Sequence, residues 1–140
     1  IGKLAIPDAS LKKPAPLTKE EWEVMKTHPE EGASRLGRHP HYREISNIIL
    51  SHQEHYDGTG YPRGLKGEQI PIIARIIATA DAYHAMTSNR PYRKAMPPRE
   101  AALELLRHRG TQFDPKVVDA FIKGLLKLRL FSQEDLKTPA

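Results

Sequence analysis

The sequence contains no cysteine. That excludes disulfides, thiolate zinc sites and thiol catalysis, and it fits a reducing compartment. No apolar run approaches the roughly eighteen residues that a membrane-crossing helix needs, so no direct membrane insertion is expected. The opening residues, Ile-Gly-Lys-Leu-Ala-Ile-Pro, are too short and too weakly apolar for a signal peptide. Position 1 is not methionine, which predicts that the chain starts inside a longer gene product. Aromatic residues are only 6% of the chain, and no DNA- or RNA-reading motif accompanies the net charge of +5. The basic residues are spread along the chain without a stripe or arm. Nucleic-acid binding is therefore the least favoured reading, and a small phosphorylated ligand suits the charge better. There is no internal repeat and no low-complexity segment.

What is present describes an ordinary globular chain, with 39% hydrophobic and 28% charged residues over 140 positions. One domain with one core fits that length. Residues 7–17 hold three prolines and read as a connecting loop. Thr18 and Glu21 form a capping-box pattern that opens a helix ending near Thr27, because His28 precedes Pro29. Further helices are expected at 29–36, 42–54, 71–88 and 98–109. The last opens at Asp114-Pro115, with Val118, Phe121, Ile122 and Leu125 on its buried face. On the 71–88 helix the expected buried stripe is Ile73, Ile76, Ile77, Ala80 and Tyr83. No segment alternates as a strand does. The fold reads as all-α, a helical bundle of about six helices without substantial sheet.

Seven histidines in a chain without cysteine are either surface polar groups or part of a nitrogen-and-oxygen metal site. Three places invite the second reading. His52 continues the apolar stripe of Ile45, Ile48 and Ile49, so its imidazole needs a partner or a metal. A lone histidine on such a stripe is ordinarily a hydrogen-bonded core residue, but the glycine-rich loop 57–67 directly after it favours a shaped site. Asp81 lies four residues after Ile77 on the same stripe, where a carboxylate is either paired or bound to a cation. Arg90 and Arg93 follow as a fork suited to phosphate oxygens, or as plain charges at a helix end.

Residues 52–62 read His-Gln-Glu-x-x-Asp-Gly-x-Gly-Tyr-Pro, which resembles the signature of the HD-GYP family, written HHExxDGxGYP. Other segments agree in order. Ile1-Gly2-Lys3 is similar to the end of the family's HDIGK motif, and Pro14-x-x-Leu17-Thr18 with His28-Pro29 to its next helix. The block from Ala80-Asp81 to Arg90-Pro-Tyr-Arg93, and Gly110-Thr-Gln-Phe-Asp-Pro115, complete the likeness over about residues 1–127. The resemblance implies a helical bundle of the HD superfamily, at 1–130, with 131–140 a C-terminal tail. It implies a bacterial, cytoplasmic signalling phosphodiesterase that hydrolyses cyclic di-GMP to pGpG or GMP with two divalent ions, iron or manganese. By position it makes His28, His52 and Asp81 metal ligands, Lys3 a catalytic lysine near the scissile phosphate, and Arg90 and Arg93 binders of substrate phosphates. Glu54, Asp57, Gly58, Gly60, Tyr61 and Pro62 become the motif loop. A homodimer and a partner of the GGDEF cyclase type are further expectations.

The sequence also departs from the pattern. The His-Asp doublet, with its metal-bridging aspartate, would stand immediately before Ile1, together with N-terminal helices absent here. Gln53 replaces the family's second adjacent histidine, which argues against a third metal ion. His84 stands where many members carry aspartate. These departures keep two alternatives open: a degenerate module that binds the nucleotide or a protein partner, and a related phosphohydrolase acting on cyclic GMP-AMP. Loss of cover from the upstream helices predicts an exposed apolar surface and hence dimerisation.

Overall fold

The computed structural model describes residues 1–89 and 93–136. Among them are seven α-helices: α1 (Asp8–Leu11), α2 (Lys19–Met25), α3 (His28–Gly37), α4 (Arg43–Ser51), α5 (Ile72–Thr87), α6 (Pro98–Arg107) and α7 (Pro115–Lys127). Short 3₁₀ turns occupy Gly2–Ala5, Pro40–Tyr42 and Gly67–Gln69. The described residues contain no strand, and Arg109 and Phe113 form an isolated bridge. The all-α expectation holds, and the six helices read from periodicity are all present. The proline-rich stretch differs from the expected plain loop, because Pro7 starts the single turn α1. Its fixed φ suits the entry to a helix.

Local chemistry explains most boundaries. The Thr18 hydroxyl accepts from the Glu21 amide at 3.2 Å, and the Glu21 carboxylate accepts from the Thr18 amide at 2.7 Å. At α7 the Asp114 carboxylate accepts from the Lys116 amide at 2.7 Å, ahead of Pro115 in the first turn. Helix α4 ends at Ser51, three residues before the expected limit. Glu54 has turned out of the helical path to hold the following loop instead.

The core lies where α5, α6 and α7 meet, around Ala102, Leu105, Phe113, Val118, Ile122 and Leu125. Phe131 and Leu136 pack against it too, and Arg99 donates to the Asp135 carbonyl at 2.7 Å, so residues 131–136 lie against the bundle. Helices α3 and α4 form a second layer joined to the first through α4 and α5. The first turn crosses α3 at very close range. A Cβ placed on Gly2 would sit 1.8 Å from the His28 carbonyl oxygen, so no other residue fits there.

The stripe expected to be buried on α5 is covered only in part: Tyr83 packs against the core, but the isoleucines are exposed. Ile72, Ile73, Ile76 and Ile77 are 50%, 50%, 46% and 40% exposed. The packed side carries Ala74 and Thr79, fully buried, with Ala82, Tyr83 and Met86 partly buried against the core. Small side chains let the helix axes approach. Arg75 also points inward, and its guanidinium meets the Asp114 carboxylate at 2.5 Å, with Asp114 only 2% exposed. Asp81 follows Ile73 and Ile77 at helical spacing, so it too faces outward rather than into the core.

The loop after α4 is built around backbone hydrogen bonds. The buried Glu54 carboxylate accepts from the Arg63 amide at 2.8 Å and the Leu65 amide at 3.0 Å. The Arg63 guanidinium returns to the Ser51 hydroxyl at 2.6 Å and the Asn47 side chain at 3.1 Å. The Asp57 carboxylate accepts from the Thr59 hydroxyl and amide at 2.7 and 3.0 Å, and these bonds hold it below its ordinary pKa. Gly58 takes a φ of +89°, open to glycine without strain. Tyr56 and Asp57 donate backbone N–H groups to Gln112 and Thr111, which docks the loop on the segment before α7. Gly60 passes so close to residues 53–55 that a Cβ there would lie 2.2 Å from the His55 nitrogen.

Two predictions follow from this packing. Asp114→Asn keeps a good N-cap but leaves the Arg75 charge buried without its partner. It should cost about 3–5 kcal/mol in urea denaturation; a loss below about 1 kcal/mol would show that the pair carries little. Gly60→Ala should destabilise by at least about 2 kcal/mol through overlap with backbone that cannot yield. Gly124→Ala has nothing within 4 Å of its new methyl, and it should stabilise α7 by about 0.5–1 kcal/mol. Equal effects at the two glycines would refute the packing argument.

Candidate active site

Two imidazoles meet where the start of α3 faces the end of α4. His28 is buried at the first position of α3, and His52 is the residue that ends α4. Each ring is oriented by its own helix end. Nδ1–H of His28 donates to the Met25 carbonyl at 2.7 Å, and Nδ1–H of His52 donates to the Ile49 carbonyl at 2.5 Å. A carbonyl oxygen only accepts, so the proton of each neutral ring is on Nδ1. The two Nε2 atoms therefore carry lone pairs, and they face each other at 3.2 Å.

Burial is the main cause that pushes the His28 pKa down, helped by His52 and Lys3 nearby and opposed by the hydrogen bond to Met25. Its neutral, ligating form is favoured. Two lone pairs at that distance repel unless a proton or a cation lies between them. Nitrogen ligands about 2.0–2.1 Å from one ion, at tetrahedral or octahedral angles, are spaced by roughly 3 Å. Histidine ligands also characteristically donate the other N–H to a carbonyl or carboxylate. On both counts His28 and His52 fit a divalent metal ion.

Three hollows converge on this pair. One of about 320 Å³ is lined by Ile1, Gly2, Lys3, His28, Ile48, Ile49, His52 and Ile77. A second, about 160 Å³, brings His52 together with Gln53, Glu54, His55, Asp81 and Gln112. The third is a groove of about 870 Å³ running past Lys3, Trp22, His28, Gln53 and Tyr61 along the wall made by residues 10–17. The site thus borrows a cation from the first turn, a nitrogen from each of two helices and side chains from the motif loop.

The expected residues do not all gather. Lys3 shares two of the hollows with His28. Asp81 is exposed and lines the hollow beside His52, with no side-chain hydrogen bond or ion pair among the described residues. No three of histidine, aspartate and glutamate stand close enough to hold a metal ion among the described residues. Arg93 donates to the Ala85 carbonyl at 2.9 Å and is exposed. Arg90 lies outside the described residues. Within the loop, Glu54, Asp57, Gly58 and Gly60 act on backbone shape, as their bonds above show. Tyr61 and Gln53 are the motif residues that reach the groove. Burial raises the Tyr61 pKa, so its phenol stays protonated. Trp22 was legible only as part of a helical period, and its place in the groove has no local sequence signal.

The family profile described as the HD domain matches residues 1–117. The chain is 46% identical over 130 residues to a protein of Xanthomonas campestris named cyclic di-GMP phosphodiesterase response regulator RpfG, covering 91% of this chain and 34% of that one. It is 46% identical over 125 residues to a cyclic di-GMP phosphodiesterase of Thermotoga maritima, covering 88% and 34%. A 3'3'-cGAMP-specific phosphodiesterase of Vibrio cholerae is 37% identical over 125 residues, covering 89% and 24%. The chain spans about a third of the length of the first two relatives and less of the third. A solved cyclic GMP-AMP phosphodiesterase of V. cholerae superposes with a TM-score of 0.61 at 21% identity, over 98% of this chain and 36% of that one, and shows the same fold. The ordered motifs, the bundle and the profile over residues 1–117 agree, and the chain belongs to the HD domain family.

Proposed function

We propose that this chain is the larger part of a metal-dependent phosphodiesterase domain that hydrolyses cyclic di-GMP to pGpG or GMP in bacterial signalling. The observation that carries the reading is the pair of imidazoles with facing Nε2 lone pairs 3.2 Å apart. His28 also lines a groove with Lys3, which has no ion-pair partner among the described residues. The similarity to cyclic di-GMP phosphodiesterases at 46% identity supports the choice of substrate.

His28 and His52 would hold a metal ion, iron or manganese, with Asp81 brought in from the neighbouring hollow. Two such ions are the reading closest to the family pattern, since Gln53 offers no third nitrogen ligand. When bound, divalent ions neutralise phosphate oxygens and lower the pKa of a bound water toward neutrality. The chain's own groups do the rest. The Lys3 ammonium is placed to draw a phosphodiester toward the histidines, since it lines both hollows that His28 lines. Gln53 and Tyr61 border the path that the substrate takes. Ile1 lines the hollow shared by His28 and His52, so a residue joined before it would reach the same place, where the resemblance puts the His-Asp doublet.

The test is cyclic di-GMP hydrolysis with added Mn²⁺, on this chain and on one extended upstream through the doublet. Activity is expected in the extended chain, falling at least about 100-fold in His52→Ala and Asp81→Asn. Absence of linear product in both would overturn the reading in favour of a binding module, for which a GGDEF-type partner is the proposed target. Equal turnover of cyclic GMP-AMP in competition would move the substrate assignment.

The homodimer is a second proposal, supported by the outward-facing isoleucines of α5 with Ile45 and Ile1, all at least 40% exposed. Light scattering on the eluting peak should give twice the chain mass, and Ile73→Lys with Ile77→Lys should return it to the monomer. A monomer before substitution would remove the proposal.

A further inference from the structure

Trp22 is the single tryptophan of the chain. It projects from α2 and is 47% exposed, although an indole offers one of the largest apolar surfaces a residue can bury. It does not stand alone. Its ring meets Tyr61 edge to face, with centroids 6.4 Å apart and planes at 79°. Tyr61 is held by its backbone N–H, which donates to the Gln53 carbonyl at 3.2 Å, and by the tight passage of Gly60. Both rings line the groove of about 870 Å³ that also reaches Lys3 and His28. That volume is in the range of nucleotide-sized ligand pockets, roughly 300–1,000 Å³.

The lining of the groove has two kinds of chemistry. Lys3 and His28 make part of it cationic and nitrogen-lined, which suits a phosphate. Trp22 and Tyr61, with Leu11, Pro14, Leu17 and Met25, make the rest aromatic and apolar. The other lysine on the groove, Lys13, is already held by the Glu21 carboxylate at 2.6 Å. It therefore competes less for an anion than Lys3, which has no such partner among the described residues. A phosphate flanked by a flat aromatic base matches this set of groups, because bases stack on exposed aromatic faces whatever their sequence.

We propose that Trp22, braced by Tyr61, is a stacking platform for one purine base of the cyclic dinucleotide, and so sets specificity for a nucleotide over other phosphodiesters. The proposal rests on the phosphodiesterase reading above and adds the residue that holds the base. The platform lies on α2, apart from the helices that supply the histidines, so it positions substrate without touching the reacting atoms.

Being the sole indole, Trp22 reports on itself. Cyclic di-GMP is titrated into the 140-residue chain with metal removed by EDTA. Indole emission and equilibrium dialysis are followed on the same samples. Ribose 5-phosphate serves as the ligand without a base. Saturable quenching by cyclic di-GMP at the concentration where dialysis shows binding, and none by ribose 5-phosphate, is expected. Trp22→Ala should weaken binding about 10- to 100-fold, with Trp22→Phe restoring most of it. In the active extended chain the same loss should appear in KM with kcat little changed. Binding by dialysis without quenching, or with affinity unchanged in Trp22→Ala, overturns the platform and leaves the phosphodiesterase reading standing. No binding by dialysis overturns the platform, and hydrolysis by the extended chain with Mn²⁺ separately decides the phosphodiesterase reading. If Trp22→Ala proves unfolded by circular dichroism, quenching of the unsubstituted chain and the affinity of Trp22→Phe still decide the matter.

Discussion

A buried carboxylate organises the functional end of this molecule. Glu54 is 3% exposed, and its two oxygens accept the backbone N–H groups of Arg63 and Leu65. A charge removed from water needs such bonds or it neutralises. Meeting that demand draws residues 63 and 65 back against the end of α4 and closes the loop into a compact ring. The closure stops α4 at Ser51, leaves His52 at the helix end with its Nε2 directed at His28, and brings Tyr61 over Gln53 at the groove. Removal of that carboxylate would release residues 63 and 65 from the end of α4.

The sequence was legible where one residue decides one local outcome. Thr18 with Glu21 and Asp114 with Pro115 marked two helix starts correctly, because caps act within a single turn. It was legible for α7, whose valines, isoleucine and leucine occupy one face without competition. It misled on α5, where two faces compete. Periodicity picks out the isoleucines as the apolar stripe, but it cannot say which stripe a neighbour covers. The packed side is made of alanines and a threonine, which carry little hydropathy signal. Arg75 among them reads as a solvent residue until Asp114, thirty-nine positions on, is placed beside it.

The site shows the same division. His52 was singled out by its place after Ile45, Ile48 and Ile49, and the glycines of the loop pointed to a built turn. His28 stood out only through the family resemblance. Its residue pattern says helix boundary, since it precedes Pro29, and nothing local shows that its ring will face His52. Asp81 was read correctly as sharing a stripe with Ile73 and Ile77, yet the stripe faces outward, so its carboxylate lines the hollow beside His52 without completing a three-ligand cluster among the described residues. Glu54, read as part of a motif, turned out to be the anchor of the loop rather than a lining residue of the groove.

The crossing of the first turn over α3 has a mechanical consequence. With Gly2 seated against the His28 carbonyl, the backbone beside Lys3 and the backbone carrying His28 have no clearance to slide past each other. They behave as one rigid body although they belong to separate elements. The electrostatic spacing between the ammonium group's tether and the imidazole is therefore set by steric contact, not by the flexible ends of two independent segments.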